Sequence, residues 1–163
     1  MGLQFTLLDG RRHDRAGFAC GIAALDDYLH RLAGQHHRDG IATTHVLIED
    51  DQPARILGYC SLAAAQLLLD DLRPDDRKRL PAYPVPCVRL ARLAVSREAQ
   101  GQGVGRLLLG HAVNCALAMR ANAGVRMLVV DAKDARAASF YAEFGFRPTT
   151  TVAKTLYMAL GKS

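Results

Sequence analysis

Gln100-Gly101-Gln102-Gly103-Val104-Gly105 is the stretch on which the interpretation of this chain depends, because a strand is predicted before it and a helix after it. Apolar residues predict a buried strand over 88–95, and helical periodicity predicts an amphipathic helix over 104–120. A glycine loop in that position aims several backbone N–H groups at one point, where the helix dipole adds positive potential. The segment therefore predicts a phosphate-binding loop.

Other uses of a glycine loop fit this sequence less well. A P-loop ends in Gly-Lys-Ser/Thr, whereas Arg106 and Leu107 follow Gly105 here, so the lysine and the hydroxyl that NTP hydrolysis requires are missing. A dinucleotide-binding fold places its glycines after the first strand, but this loop lies past the middle of the chain. A plain turn would explain two of the glycines, but not three in alternation.

Length and composition limit the class of protein. The chain has 163 residues, which predicts a single domain over 1–163. No apolar run approaches the ~20 residues of a membrane span, and the first residues lack the basic and apolar blocks of a signal peptide. We therefore expect a cytoplasmic protein without a membrane partner.

Charge and cysteine content bear on possible ligands. The net charge of +5 suits a polyanionic partner, such as nucleic acid or a phosphorylated cofactor. The four cysteines are far apart and form no CxxC pair, so we expect neither a metal site nor a disulfide framework. They are interpreted as small apolar residues.

The rest of the chain alternates between strand and helix patterns. Strands are predicted at 4–8, 43–49, 55–65, 88–95, 127–131 and 150–160. Helices are predicted at 23–38, 104–120 and 135–144. Residues 70–86, with four prolines, are predicted to be a long connection outside the core. The two strands around 50–53 form a hairpin, and the strand–helix–strand order after residue 88 predicts parallel neighbours. The fold class is α/β, with a mixed sheet flanked by helices.

These elements, the glycine loop and a later segment together resemble the GNAT superfamily of N-acetyltransferases over nearly the whole chain. The family motif Gln/Arg-x-x-Gly-x-Gly/Ala is met by Gln100, Gly103 and Gly105. The later segment, 134–146, carries the family's Phe-Tyr followed by Gly-Phe. The resemblance implies the GNAT acyl-CoA N-acyltransferase fold and acetyl-CoA as the acyl donor.

The resemblance also implies which residues hold and use the donor. The pyrophosphate of acetyl-CoA would lie on the glycine loop, and its pantetheine arm would pair with the strand before the loop. The implied donor-binding residues are Leu93, Ala94, Val95, Gln100, Gly101, Gln102, Gly103, Val104, Gly105 and Arg106. Tyr141 would donate a hydrogen bond or a proton to the departing thiolate, since a phenol with a pKa near ~10 is protonated at neutral pH. The alternative for Tyr141 is packing on an apolar helix face.

Two positions depart from the family pattern. Many members carry Asn where this chain has Asp134, and we interpret Asp134 as the cap of the helix that begins at Ala135. No Glu or Asp lies on strand 88–95 to act as a general base, and His45 is only a loose alternative. An α-amine, which titrates near ~8, needs less help than a lysine near ~10.4. Aminoacyl esters and peptide N-termini are therefore favoured as acceptors.

A narrower resemblance agrees with that inference. Residues 18–21, 25–29 and 80–86, the last leading into 89–95, resemble the GNAT toxins of bacterial toxin–antitoxin pairs. This resemblance implies that the acceptor is the α-amine of aminoacyl-tRNA, so that acetylation blocks translation. It also implies a homodimer and a ribbon-helix-helix antitoxin as partner.

If the acceptor is tRNA, basic residues are expected to contact its phosphates. Arg31, Arg38 and Arg92 are the candidates for substrate contacts, together with 77–79 and Arg89, and Arg92 is favoured because it precedes the implied thioester position. Two other functions stay open from the sequence. One is acetylation of a small amine or a protein N-terminus, and the other is a non-catalytic module that binds CoA or RNA.

Overall fold

The computed structural model describes residues 2–161. The strands are β1 (Leu3–Leu7), β2 (Thr43–Glu49), β3 (Gly58–Leu67), β4 (Val85–Val95), β5 (Met127–Asp131), β6 (Arg147–Pro148) and β7 (Thr155–Ala159). The helices are α1 (Ala23–Asp27), α2 (Ala33–Arg38), α3 (Pro74–Arg77), α4 (Val104–Ala123) and α5 (Ala135–Glu143), with a π-helical segment at Tyr28–Leu32 and 3₁₀ turns at Leu69–Asp71 and Arg97–Ala99.

The strands form a mixed sheet. Their order is β1-β2-β3-β4-β5-β7-β6. β4 and β5 pair in parallel, with Leu90 opposite Val130, whereas β1–β2, β2–β3, β5–β7 and β6–β7 are antiparallel. The α/β fold class, the hairpin around residues 50–53 and the parallel neighbours after residue 88 are thus confirmed.

The chain divides into two compact units. The first comprises residues 1–63 and 91–112. Its core is built where one face of β2 and β3 meets the 18–33 region: Phe18, Cys20, Tyr28, Leu29, Ala33, Val46, Ile48, Ile56, Tyr59 and Ala94 are buried together. Burial of this many apolar side chains is the main stabilising term for the unit.

The second unit comprises residues 64–90 and 113–163. Its buried cluster contains Leu67, Leu72, Val85, Cys87, Met127, Val129 and Tyr157. Leu72 and Val85 are buried, and Val85 begins β4, so the prediction that 70–86 lies outside the core is wrong at these positions. The hydroxyl of Tyr157 donates to Asp76 and accepts from the N–H of Arg73, and these bonds attach the connection to β7.

The first predicted helix, 23–38, contains a feature that periodicity did not reveal. Its middle, Tyr28–Leu32, is a π-helix, whose wider turn shifts the side chains that follow it. Regular helical spacing from Leu25 and Leu29 would place Leu32 on the same apolar stripe, but Leu32 is 46% exposed, whereas Tyr28 is buried at 2% exposure. The stripe therefore changes direction within the helix.

The end of the chain differs in detail from the prediction. The strand expected over 150–160 is confined to β7, because residues before Thr155 form a turn in which Thr149 and Val152 exchange hydrogen bonds. The short strand β6 was not predicted. Gly145, with φ of +108°, follows α5 and ends that helix in the left-handed conformation. Within residues 2–161 the structure has no helix with the length and apolar character needed to span a bilayer.

Candidate functional site

The glycine loop occupies the predicted place between β4 and α4. β4 ends at Val95, a 3₁₀ turn follows, and α4 begins at Val104. Gly101 and Gly103 adopt φ of +80° and +83°, a left-handed conformation that side chains disfavour. These two glycines therefore let the chain reverse sharply and enter the helix.

The side chain of Gln100 fixes the base of the loop. Its Nε2 donates to the carbonyl oxygens of Val95, at 3.0 Å, and of Cys20, at 2.8 Å. The Nε2 of Gln102 donates to the carbonyl oxygen of Glu98 at 3.3 Å. Because both glutamines bond to backbone outside the loop, the loop is held in position before any ligand binds.

The backbone of the loop is suited to an anion. α4 is 20 residues long, and the N–H groups of its first turn have no acceptor within the helix. Apart from each glycine and its two chain neighbours, no heavy atom of residues 2–161 lies within 4 Å of the point where a Cβ would stand on Gly101 or Gly103. Open space beside the N–H groups of a helix N-terminus is the setting that binds phosphate.

The end of β4 lies beside the start of α4 because position 58 has no side chain. A Cβ on Gly58 would lie 2.9 Å from the carbonyl oxygen of Ala94, 2.8 Å from Leu108 Cδ1 and 3.1 Å from Val104 Cγ1. The register of β4 with β5 covers Cys87–Leu90. Leu93, Ala94 and Val95 lie beyond the part of β4 that pairs with β5. The implied pairing of these residues with the pantetheine arm requires this separation from β5.

Arg92, the favoured substrate residue, is held by an aromatic ring. Its guanidinium carbon lies 3.6 Å from the ring centre of Tyr28, in cation–π geometry. The hydroxyl of Tyr28 is 3.0 Å from Nδ1 of His36. Tyr28 is the first residue of the π-helix, so this irregular segment places the ring under Arg92.

Tyr141, the predicted acid, lies on α5 in the second unit. It is buried at 8% exposure, and its ring makes edge contacts with Phe140 and Phe146 at centroid distances of 5.3 and 5.7 Å. The expected cap of this helix is confirmed, since Oδ1 of Asp134 accepts from the N–H of Ala137 at 2.8 Å. The catalytic role of Tyr141 stays a prediction.

The other predicted arginines fall into two groups. Arg31 and Arg38 are exposed on the helical segment after residue 28, where they are accessible to a polyanion. Arg77 and Arg89 are engaged elsewhere: Nε of Arg77 donates to the carbonyl oxygen of Leu72 at 2.8 Å, and Arg89 forms an ion pair with Asp131. These bonds make Arg77 and Arg89 weaker candidates for phosphate contacts.

His45, the loose alternative for a base, belongs to a histidine pair. Its Nδ1 is 2.9 Å from Nε2 of His111, and the His111 ring stacks on Phe5 at a centroid distance of 4.1 Å. Burial, with the charges of His111 and His37, lowers the pKa of His45 to about 4. His45 is therefore neutral at pH 7, but it is a weak base.

Sequence reasoning missed several residues of the site. Gly58 carries no motif, and Tyr28 was quoted only as part of the segment 25–29; the roles of both depend on long-range packing that local patterns do not encode. Arg11, Arg12 and Arg15 follow β1 and line a cleft with Arg38. The close spacing of these three arginines was a signal that could have been used.

Comparison with known proteins identifies the family. The acetyltransferase (GNAT) domain family matches residues 40–148. The chain is 33% identical over 138 residues to a tRNA-acetylating toxin of Mycobacterium tuberculosis (strain ATCC 25618 / H37Rv). The aligned residues cover 85% of this chain and 81% of the relative.

Solved structures give the same result. A crystal structure of a KacT mutant, with phenylalanine in place of a tyrosine, superimposes with a TM-score of 0.91 at 26% identity, over 98% of this chain and 96% of that one. AtaT complexed with acetyl-methionyl-tRNAfMet superimposes with a TM-score of 0.90 at 28% identity, over 97% and 95%. The resemblance inferred from the loop and the later segment is thus confirmed, and the chain belongs to the GNAT acetyltransferase family.

Proposed function

We propose that this protein transfers the acetyl group of acetyl-CoA to the α-amine of aminoacyl-tRNA and thereby blocks translation. The observation that carries the proposal is the loop at Gln100–Gly103, fixed by the Gln100 side chain and opening α4. The GNAT family match supports the acetyl transfer, and the relatives named above support the acceptor.

The donor half of the site uses backbone groups. The pyrophosphate of acetyl-CoA would accept from N–H groups of the loop and of the first turn of α4, which includes Gly105 and Arg106. The pantetheine arm would follow Leu93 and Ala94, whereas the carbonyl of Val95 is already occupied by Gln100. A structure of AtaTR, 30% identical over 97% of this chain and 94% of that one with a TM-score of 0.83, is bound with acetyl-CoA, which supports this donor.

The transfer step places few demands on side chains. The neutral amine attacks the thioester carbon, the C–N bond forms, and the C–S bond breaks with the electron pair going to sulfur. We propose that Tyr141 donates its proton to the departing sulfur. The proton that the amine loses then returns through solvent to the Tyr141 oxygen. The α-amine of an aminoacyl ester is partly neutral near pH 7, so the reaction does not require a carboxylate base.

The proposed acceptor implies partners and a location. Arg92, Arg31 and Arg38 would contact the tRNA. A ribbon-helix-helix antitoxin and assembly as a homodimer are further proposals from the toxin resemblance, and AtaT is known in complex with the C-terminus of its antitoxin AtaR. We propose that the protein acts in the cytoplasm, where aminoacyl-tRNA is used, and that the whole chain serves as one acetyltransferase domain.

Labelled acetyl-CoA tests the acceptor directly. Purified protein is incubated with charged tRNA, with the same tRNA after deacylation, and with a panel of small amines and peptide N-termini. We expect label on charged tRNA alone, released with the amino acid under mild base. Label on small amines with none on charged tRNA would show that a small amine, and not aminoacyl-tRNA, is the acceptor. If acetyl-CoA released no thiol with any acceptor, the protein would be a non-catalytic module.

A further inference from the structure

Residues 18–20 are hydrogen-bonded to the glycine loop and to the turn that precedes it. The carbonyl oxygen of Ala19 accepts from the backbone N–H of Arg97 at 2.9 Å, and the carbonyl oxygen of Cys20 accepts from Nε2 of Gln100 at 2.8 Å. Arg97 begins the 3₁₀ turn that follows β4, and Gln100 is the first residue of the loop. Two consecutive carbonyl groups of the segment therefore hold the entry to the loop.

The same segment is also bonded to the helices that follow it. The N–H of Cys20 donates to Oδ1 of Asp26 at 2.8 Å, and Asp26 lies in the first turn of α1. Nε2 of His30, in the π-helical segment, donates to the carbonyl oxygen of Phe18 at 2.9 Å. Residues 18–20 thus connect the loop with the helices.

One peptide group of the segment takes part in both connections. Its C=O, from Ala19, accepts from Arg97, and its N–H, from Cys20, donates to the carboxylate of Asp26. A hydrogen bond to a carboxylate is stronger than one between neutral groups, and hydrogen bonds in a chain polarise one another. The carboxylate of Asp26 therefore strengthens the bond between Ala19 and the 3₁₀ turn.

The surroundings of the segment prevent it from moving alone. Phe18 and Cys20 are buried in the core of the first unit, and the Phe18 ring meets the Tyr59 ring edge-on at a centroid distance of 5.5 Å. Gly21, with φ of +98°, follows the segment, and a Cβ there would lie 3.2 Å from Nε of Arg97. A displacement of the segment would therefore also displace the start of the loop.

The carboxylate of Asp26 does not cap the helix that contains it. The N-cap of α1 is Ile22, which makes no side-chain cap bond. Oδ1 of Asp26 instead bonds to a residue six positions earlier in the chain, and Asp26 is partly buried there. Its contribution is therefore to the position of residues 18–20.

We propose that Asp26 is a positioning residue for acetyl-CoA. Through the peptide group between Ala19 and Cys20, it holds the 3₁₀ turn and the glycine loop in the geometry that binds the pyrophosphate; the proposal rests on the donor half of the proposed function. A loop that is ordered before binding loses less entropy when the ligand arrives. Loss of the Asp26 bond therefore weakens donor binding although Asp26 does not touch the donor.

Calorimetry with acetyl-CoA alone tests this role, because no acceptor is required. Asp26→Ala removes the oxygen that accepts from Cys20, and we expect acetyl-CoA to bind about five- to tenfold more weakly. Asp26→Asn keeps an accepting oxygen and should bind within about threefold of wild type. Asp27→Ala removes the neighbouring, exposed carboxylate and serves as the matched control, with unchanged affinity expected.

A double-mutant cycle separates positioning from a general loss of stability. Gln100→Ala breaks the side-chain bond between the loop and Cys20, so Asp26→Ala then acts on a loop that is already released. We expect the combined weakening of acetyl-CoA binding to be smaller than the product of the two single effects. Two independent effects that simply multiply would overturn the proposal.

Gly21→Ala disturbs the segment by another route and keeps the Asp26 carboxylate. Alanine is strained at φ of +98°, and its Cβ would press on the Arg97 side chain. We expect weaker acetyl-CoA binding from a protein that still melts cooperatively. Wild-type affinity in Asp26→Ala would overturn the proposal, as would wild-type affinity in Gly21→Ala if Asp26→Ala does not fold.

The kinetic effect of Asp26→Ala should fall on donor binding and not on chemistry. With any acceptor that the wild-type protein acetylates, we expect a raised KM for acetyl-CoA and a kcat within about twofold of wild type. A lower kcat with an unchanged KM would overturn the positioning role. Failure to label charged tRNA would reject the proposed acceptor alone, because calorimetry with acetyl-CoA still decides the role of Asp26.

Discussion

The guanidinium carbon of Arg92 lies 3.6 Å from the centre of the Tyr28 ring. Tyr28 is almost fully buried, and its hydroxyl is within hydrogen-bond distance of His36. Because burial and the hydroxyl contact hold the Tyr28 ring in place, the ring orients the planar guanidinium that lies over its face. Arg92 is therefore positioned for a contact before an acceptor arrives.

Arg92→Gln is expected to lower kcat/KM for aminoacyl-tRNA by about tenfold or more, because a charged hydrogen bond to the acceptor is lost. Arg92→Lys should be intermediate, since it keeps the charge but not the planar group that lies on Tyr28. Tyr28→Phe keeps the ring under Arg92 and tests how much the bond between the Tyr28 hydroxyl and His36 contributes. Wild-type kcat/KM in Arg92→Gln would remove Arg92 from acceptor binding, provided that the thermal shift with acetyl-CoA is preserved.

Tyr141→Phe is expected to reduce kcat by about 10²-fold or more, because the donor to the thiolate is lost. The phenylalanine ring keeps the edge contacts with Phe140 and Phe146, so the fold should be retained. Thiol release with charged tRNA measures turnover, and calorimetry measures acetyl-CoA binding. Turnover at the wild-type rate would show that Tyr141 only packs in the core.

Gly103→Ala tests the loop. An alanine at φ of +83° is strained by about 1–2 kcal/mol, so we expect the loop to shift and acetyl-CoA to bind at least about tenfold more weakly. Gly110→Ala, in the middle of α4, meets no described atom within 4 Å and should stabilise the helix by up to about 1 kcal/mol. Calorimetry on both variants makes the comparison. Unchanged affinity in Gly103→Ala would contradict the placement of the pyrophosphate.

The buried histidines predict how stability depends on pH. Burial lowers the pKa of His45 to about 4 and also lowers the pKa values of His111 and His13 below the ordinary 6.5. The unfolded chain therefore binds more protons than the native protein below about pH 6.5, so stability is complete above that pH and is lost as pH falls towards 4. Urea midpoints across this range measure the loss. His45→Gln should flatten the dependence, and an unchanged profile would contradict the assignment.

Local chemistry made much of the fold predictable. The glycine loop, the cap at Asp134 and the left-handed Gly145 each follow from the backbone preferences of one or two residues. The boundaries of β2 and β5 follow from turn residues next to apolar runs, and the structure confirms both. At these positions neighbouring residues determine the conformation, so the sequence was sufficient.

Features that depend on distant contacts were not predictable in the same way. The π-helical segment leaves Leu32 exposed because burial of Tyr28 and Leu29 outweighs regular helical spacing. Leu72 lies in a proline-rich connection, yet its burial depends on strands far along the chain. The cleft that Arg11, Arg12 and Arg15 line with Arg38 depends on the meeting of a loop and a helix that are separate in the chain. No local pattern carries this information.

Because of Gly58, binding of acetyl-CoA at the proposed site requires the correct pairing of β3. Only hydrogen fits between β3, the carbonyl of Ala94 and the first turns of α4. A one-residue slip in the β2–β3 hairpin would bring Leu57 or Tyr59 to this position, and either side chain would push the end of β4 away from the helix. A chain with the wrong strand register would therefore be unable to bind acetyl-CoA at the proposed site, so such an error in folding would abolish acetyl transfer and would not redirect it to another acceptor.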